Sequence, residues 1–383
     1  MRISGEVKPG FESVRDLFQR SLSPARDKNV QLCVYVGEER AVDLWASSGD
    51  DRFSADSLVN VFSSGKSIES ILMGALVDQG LLDFTQPVST YWPEFVGDGK
   101  DAMTVADVMR HEAGLAQLEV SLSATQLETS ALKQNSVGHI LEKHPLNFPE
   151  GSSPREYHAV TRGWIVNEIF RRIEPGQRTM GEFLREQISE PLGIDVYFDI
   201  NADEADRLSR VQPRGLMSQL LDSFSPGSQA RRIGLTPVEL FKRARRVLAA
   251  ASGNRRPALA VPVKGIKTEG FGVFDSPEYL QAQISSAGAK CSARGLAKLA
   301  AAMAGGGETQ GHRVLGQSAL NALHAEPVER SMTIMENRFT QGGLAQFKES
   351  DAAIGPLEAG MSAGRGGFYG WLGLGGSVFQ WHP

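Results

Sequence analysis

The sequence predicts a mixed α/β (α+β) protein: an antiparallel sheet flanked by helices from both chain ends, with a mostly helical domain inserted between them. Three observations lead there. The chain opens with an amphipathic helix followed by two strand-like runs. Its middle third carries repeated helix-start signals, and its last stretch, GRGGFYGWLGLGGSVFQWHP, reads as glycine-loosened strand. On this reading residues 1–80 and 285–383 form one discontinuous sheet domain and residues 81–284 the helical one.

Composition bounds the function. With 383 residues, 41% hydrophobic and 22% charged, the chain is long enough to bury a large core. A net charge of −5 leaves no electrostatic footprint for nucleic acid or an anionic membrane surface. Cys33 and Cys291 lie far apart, so neither a disulfide framework nor a Cys-x-x-Cys motif is present, which fits a reducing compartment. The N-terminal residues lack the apolar stretch of a secretory signal, no long apolar span occurs elsewhere, and a cytoplasmic location is expected. The histidines are scattered without metal-ligand spacing, so neither metal nor cofactor is expected. No sequence signal assigns an oligomeric state.

Taken in order, Phe11, Val14, Leu17, Phe18 and Leu22 form the apolar stripe of a first helix. Gln31 to Val36 and Ala41 to Ala46, separated by Gly37-Glu38-Glu39, read as a hairpin. Thr104, with Asp107 three residues on, opens a helix to Arg110 that Gly114 ends. Residues 115–145 hold helical patches without clear punctuation. A turn at Pro149-Glu150-Gly151-Ser152-Ser153-Pro154 delivers Tyr157 just before a helix from Val160 to Arg172. Thr236-Pro237-Val238-Glu239 starts a further helix with Leu240, Phe241, Ala244, Val247, Leu248 and Ala251 on its buried face. Beyond Ser285 a loop leads to a helix with Leu296, Leu299, Ala300 and Met303 inward, stopped by three glycines.

The chain is organised around Leu58 to Gly80. An apolar segment with Val59, Val61 and Phe62 breaks at Ser63-Ser64-Gly65 and enters a helix with Ile68, Ile71, Leu72, Ala75 and Leu76 on one face. Ser63 at the helix start places Lys66 one turn later, within reach of the hydroxyl. That spacing describes a candidate nucleophile and its activator; taken alone it more often describes an N-cap serine followed by a solvated lysine.

Two further motifs follow in order: Tyr157-His158-Ala159, and Trp371-Leu372-Gly373 with Leu374-Gly375-Gly376-Ser377. Together with LLDFTQPVSTYWPEF, VADVMRHEAGL and EYHAVTRGWIV, they resemble the serine β-lactamase and penicillin-binding-protein superfamily, in its class C-like branch that includes the family VIII carboxylesterases. The resemblance covers nearly the whole chain and implies a β-lactamase/transpeptidase-like fold. It makes Ser63 the acylated nucleophile, Lys66 its electrostatic and proton-transfer partner, and Tyr157 the general base that later protonates the leaving group. The oxyanion hole would be the backbone N–H groups of Ser63 and Leu374. Substrate contacts would come from His158, Ala159, Trp371 and Gly373, although His158 reads equally as structural or as pocket lining; His111 reads as a helix-end residue.

Two departures from the pattern bear on the substrate. Relatives that open lactams carry asparagine two residues after the tyrosine and lysine at the head of the third motif; here Ala159 and Trp371 stand there. An indole in place of an ammonium removes the simplest carboxylate anchor and widens an apolar pocket, so ester hydrolysis is expected over lactam opening, with Arg365 as a nearby alternative cation. Acyl transfer on the same site, weak lactam or peptide turnover, and a catalytically silent binding or scaffold protein are the competing readings. The partner expected is a small-molecule ester.

Two decoys fail. Gly360-Met361-Ser362-Ala363-Gly364 matches a nucleophile elbow, but no acid follows Ser362 and His382 alone is left to act as base. Asn60 to Ser67 is one residue short of a phosphate-binding loop, with Asn60 where the first glycine is needed. The resemblance also implies strands after the third motif that join it to the N-terminal hairpin. Since Pro383 follows soon after Gly376, the sheet is expected to lack members and to expose strand edges.

Overall fold

A computed structural model describes residues 1–23, 27–148, 153–212, 271–332, 336–348 and 360–383, with scattered residues between 213 and 270. Most of the helix expected from Thr236 to Ala251, and the turn residues Pro149 to Ser152, lie outside the described residues.

The N-terminal layer is an antiparallel sheet in the order β1 (Arg2–Val7), β3 (Glu39–Ser47), β2 (Asn29–Val36). The hairpin pairs Val36 with Glu39 across a turn in which Gly37 takes φ +59°, a conformation that costs glycine nothing. Strand β1 was not anticipated. Its side chains are partly exposed and Gly5 interrupts it, so it carries no clean alternation, and pairing with β3 from Arg2↔Ser47 to Val7↔Val42 defines it. Helix α1 (Glu12–Ser21) packs Phe18 against Val42 and Leu44 of this sheet.

A second antiparallel sheet runs β8 (Val328–Ser331), β9 (Glu336–Phe339), β10 (Ala345–Gln346), β11 (Tyr369–Leu372), β12 (Val378–Trp381). The glycine-rich end of the chain is therefore a strand pair, Tyr369↔Trp381 to Leu372↔Val378. Between the two sheets lies α6 (Ala293–Ala304), which packs on both β2 and β12. Among the described residues β2 and β12 each have one strand neighbour, and no ladder joins the two sheets.

Helix α2 (Gly65–Asp78) departs from the amphipathic expectation: every residue from Gly65 to Leu76 is buried. It is enclosed by α4 (Thr161–Ile173), α5 (Ser285–Gly288) and α7 (Gln317–His324), so its polar face meets protein instead of water. Burying Ile68, Ile71, Leu72 and Leu76 contributes roughly 1.5–3 kcal/mol each. Helix α3 (Val105–Met109) has the capping box expected of it, with Thr104 and Asp107 bonded reciprocally. The stretch 115–145 folds as short helical turns, including Thr129–Lys133 and Gly138–Lys143.

A small four-stranded sheet ties the regions together. Its order is β5 (Val196–Tyr197), β7 (Lys290–Cys291), β4 (Leu58–Asn60), β6 (Leu208–Ser209). One apolar cluster extends from Val61 through Trp92, Trp164 and Phe198 to Trp381, so residues of the helical region and of the sheet region share a core.

A candidate acyl-transfer site

Strand β4 ends at Asn60, and the chain turns through Phe62–Ser64, a single 3-10 turn, straight into α2. Phe62 holds φ +47°, a left-handed conformation that a bulky residue adopts only under constraint. The constraint is visible: Asn60 Oδ1 accepts the Phe62 N–H at 3.0 Å, and the Phe62 ring packs edge-on against Phe274. This is a side-chain-closed turn, not a phosphate cradle. Neither Ser63 nor Ser64 caps the helix with its side chain, so the N-cap reading does not apply.

Lys66 is almost wholly buried, at 1% exposure. Its Nζ donates to the carbonyl oxygens of Ala159 at 2.7 Å and Ser286 at 2.9 Å and lies 4.8 Å from the centre of the Tyr157 ring. Burial pushes its proton affinity well below the ordinary value of 10.5, with Arg162 acting the same way and Glu69 opposing. The solvated-lysine reading is excluded by this burial.

The Tyr157 phenol accepts a hydrogen bond from the indole Nε1–H of Trp371 at 3.0 Å and is hydrogen-bonded to Ser63. Three residues from distant parts of the sequence thus converge on one hydroxyl. Burial raises the phenol above 10.0, while the bonds with Ser63 and Trp371 and the charge of Arg162 pull it back down. Desolvation acts against both charged forms, the ammonium of Lys66 and the phenolate of Tyr157.

The third motif closes over the turn that carries Ser63. Ser64 Oγ reaches the Trp371 carbonyl at 3.3 Å and Ser377 Oγ at 3.1 Å, and Ser377 Oγ donates to the Val61 carbonyl at 2.6 Å. A Cβ on Gly373 would fall 2.3 Å from Val61 O and 3.2 Å from Ser64 N, so the backbones meet there as only glycine permits. Ser63 sits in the first turn of a helical run, where backbone N–H groups lack intrahelical partners. Leu374 follows Gly373 and is 53% exposed.

Other expected contacts fall differently. Ala159 offers its carbonyl to Lys66 and has no side-chain group for a ligand. His158 is fully buried with both nitrogens engaged, Nε2 accepting from Leu115 N–H and Nδ1 donating to the Glu156 carbonyl. Burial lowers its proton affinity to about 4. Both ring nitrogens thus find partners within the protein, and the ring is neutral near pH 7. Arg365 lies 5.5 Å over the Phe347 ring in the aromatic cluster that also holds Tyr157 and Trp371.

Four charged residues escaped sequence reading. Arg155 donates to Glu112 Oε1 from Nε at 2.9 Å and Nη2 at 2.7 Å, and from Nη1 to the carbonyls of Val328 and Asn337, pinning the Tyr157 loop to β8 and β9. Arg162 and Glu69 form a second pair at 3.0 Å, both fully buried. The available signal was a carboxylate at Glu69 between Ile68 and Ile71, and an arginine inside the apolar run of α4.

The family model described as Beta-lactamase matches residues 15–383. A relative from Mycobacterium tuberculosis named esterase/beta-lactamase LipL is 29% identical over 333 residues, covering 84% of this chain and 69% of its own length. A penicillin-binding-protein homologue from Caulobacter crescentus superposes with TM-score 0.71 at 26% identity, over 97% of this chain and 88% of that one. A family VIII carboxylesterase superposes with TM-score 0.74 at 22% identity, over 100% of this chain and 90% of that one.

Proposed function

Because the chain belongs to the beta-lactamase family, we propose that it is a serine hydrolase cleaving carboxylic esters through an acyl-Ser63 intermediate. The observation that carries this reading is the indole N–H of Trp371 on the Tyr157 phenol, at the position where lactam-opening relatives place a cation. A neutral donor can stabilise a developing phenolate but offers no counter-charge to a substrate carboxylate. The LipL relative, named as an esterase as well as a β-lactamase, points the same way.

Ser63 Oγ attacks the ester carbonyl as the Tyr157 phenol gives its own proton to the Lys66 amine and its oxygen takes the proton of Ser63. The Tyr157–Lys66 pair carries that one extra proton through the tetrahedral intermediate. Backbone N–H groups of Ser63 and Leu374 face the oxyanion. Collapse of the intermediate breaks the ester C–O bond, and Tyr157 returns the proton to the departing alkoxide. Water repeats the sequence on the acyl-enzyme, releasing the acid and regenerating Ser63. An alcohol in place of water would give acyl transfer.

The convergence of Ser63, Lys66 and Tyr157 favours catalysis over a scaffold role. Covalent labelling with a fluorophosphonate, followed by peptide mapping, tests it. Adduct on Ser63 that is lost in Lys66→Ala and Tyr157→Phe is the expected result, whereas a folded protein that takes no label would sink the proposal. Hydrolysis rates on p-nitrophenyl butyrate and on a chromogenic cephalosporin then separate the ester from the lactam reading.

A further inference from the structure

Lys66 is held at both ends by one buried network. Arg162 Nη2 donates to the Lys66 carbonyl at 2.6 Å and Arg162 Nε to Glu69 Oε2 at 3.0 Å. Glu69 Oε1 accepts from Ser286 Oγ at 2.6 Å, and the Ser286 carbonyl accepts from Lys66 Nζ at 2.9 Å. The loop closes on itself: carbonyl of Lys66, guanidinium, carboxylate, serine, amine of Lys66. Arg162 Nη1 fastens it to the carbonyls of Met109 and Gly343. Helix α4 presses against it so closely that a Cβ on Gly163 would lie 2.6 Å from Glu69 Oε1.

We infer that Glu69 is a positioning residue for the Lys66 amine, acting through Ser286 at one end and Arg162 at the other. The inference rests on the acyl-Ser63 reading. A fully buried ion pair is a poor stabilising device, since well-packed apolar residues do as well or better. This pair instead sits one helical turn behind the group that must accept a proton, with its carboxylate bonded to the residue that receives the amine.

The groups facing Lys66 are Glu69 from its own helix, Arg162 from α4, and Tyr157, His158 and His111 from the motif-bearing loops. Burial keeps both histidines neutral near pH 7, so Glu69 and Arg162 are the fixed charges. Glu69 raises and Arg162 lowers the proton affinity of Lys66. Removing the carboxylate charge lets the amine lose its proton at lower pH.

The test is the pH dependence of Ser63 inactivation by a fluorophosphonate in wild type, Glu69→Gln, the double variant Glu69→Gln/Arg162→Gln, and Ser286→Ala. The rising limb is expected to move down by about one pH unit in Glu69→Gln, a tenfold change in proton affinity. In the double variant, which removes both charges, it should return toward the wild-type position. Ser286→Ala keeps every charge and the carbonyl acceptor but frees the carboxylate, and should move the limb the same way by a smaller amount. It decides the matter should Glu69→Gln fail to fold. A limb unmoved in whichever of these variants fold, with rates merely scaled down, would overturn the inference and leave the hydrolase reading intact. An unlabelled, folded wild type would overturn both.

Discussion

The indole Nε1–H of Trp371 donates to the phenol oxygen of Tyr157 across 3.0 Å, joining residues 214 positions apart in the sequence. The ring centroids stand 6.0 Å apart at 41°, so the contact is a directed hydrogen bond from a tilted neighbour. Trp371→Phe keeps the aromatic packing and removes the donor. A bond to a developing phenolate is worth about 1.5–3 kcal/mol, so kcat/KM on a p-nitrophenyl ester should fall roughly ten- to hundredfold. Full activity in a folded Trp371→Phe enzyme would show that the indole does not assist the phenol.

Gly373→Ala tests the seam between the third motif and the Ser63 turn. The new methyl would sit 2.1 Å from Ser377 Oγ and 2.3 Å from Val61 O, and the second contact is backbone. One strand must move away, taking the neighbouring Leu374 with it. Labelling of Ser63 should slow by more than about tenfold, while Ser377→Ala, which loses hydrogen bonds without adding bulk, costs about 1 kcal/mol. Equal labelling rates for the two variants would contradict this account.

Asn60→Ala removes the acceptor that closes the turn around Phe62. Without the 3.0 Å bond to its N–H, Phe62 has less to hold it at φ +47°. Thermal unfolding should report a loss of roughly 1–2 kcal/mol. The labelling rate at Ser63 should fall as well, because the strained residue immediately precedes Ser63. An unchanged melting temperature would mean that packing against Phe274 suffices.

Acid stability follows from three histidines kept neutral by burial. His158 and His324 have proton affinities lowered from 6.5 to about 4, and His111 lies well below 6.5. Their native values are depressed, so below pH 6.5 the unfolded chain binds protons that the native protein does not. Stability present above that pH is lost as pH falls toward 4, by on the order of 3 kcal/mol for His158 alone. Denaturant unfolding at pH 7, 6, 5 and 4.5 should show a progressive decline, shallower in His158→Asn. A flat profile would rule the histidines out as the cause.

What the sequence determined by itself was local. Periodicity placed α1, α4 and α6; the Thr104–Asp107 box opened α3; and Gly37 turned the hairpin. Those signals act between residues a few positions apart, which is the range over which a helix turn or a strand pleat is specified. Residue chemistry in order along the chain likewise named Ser63, Lys66, Tyr157 and Trp371. Only the tertiary structure decided their surroundings. The Lys66 amine finds its acceptors 93 and 220 residues away. Burial on all sides of α2, invisible to a pattern that assigns one apolar face, enclosed the Lys66 amine and pushed its proton affinity down, and both ring nitrogens of His158 found partners inside the protein. It also enclosed Glu69 with Arg162, a pairing 93 positions apart that desolvation makes obligatory once either charge is buried.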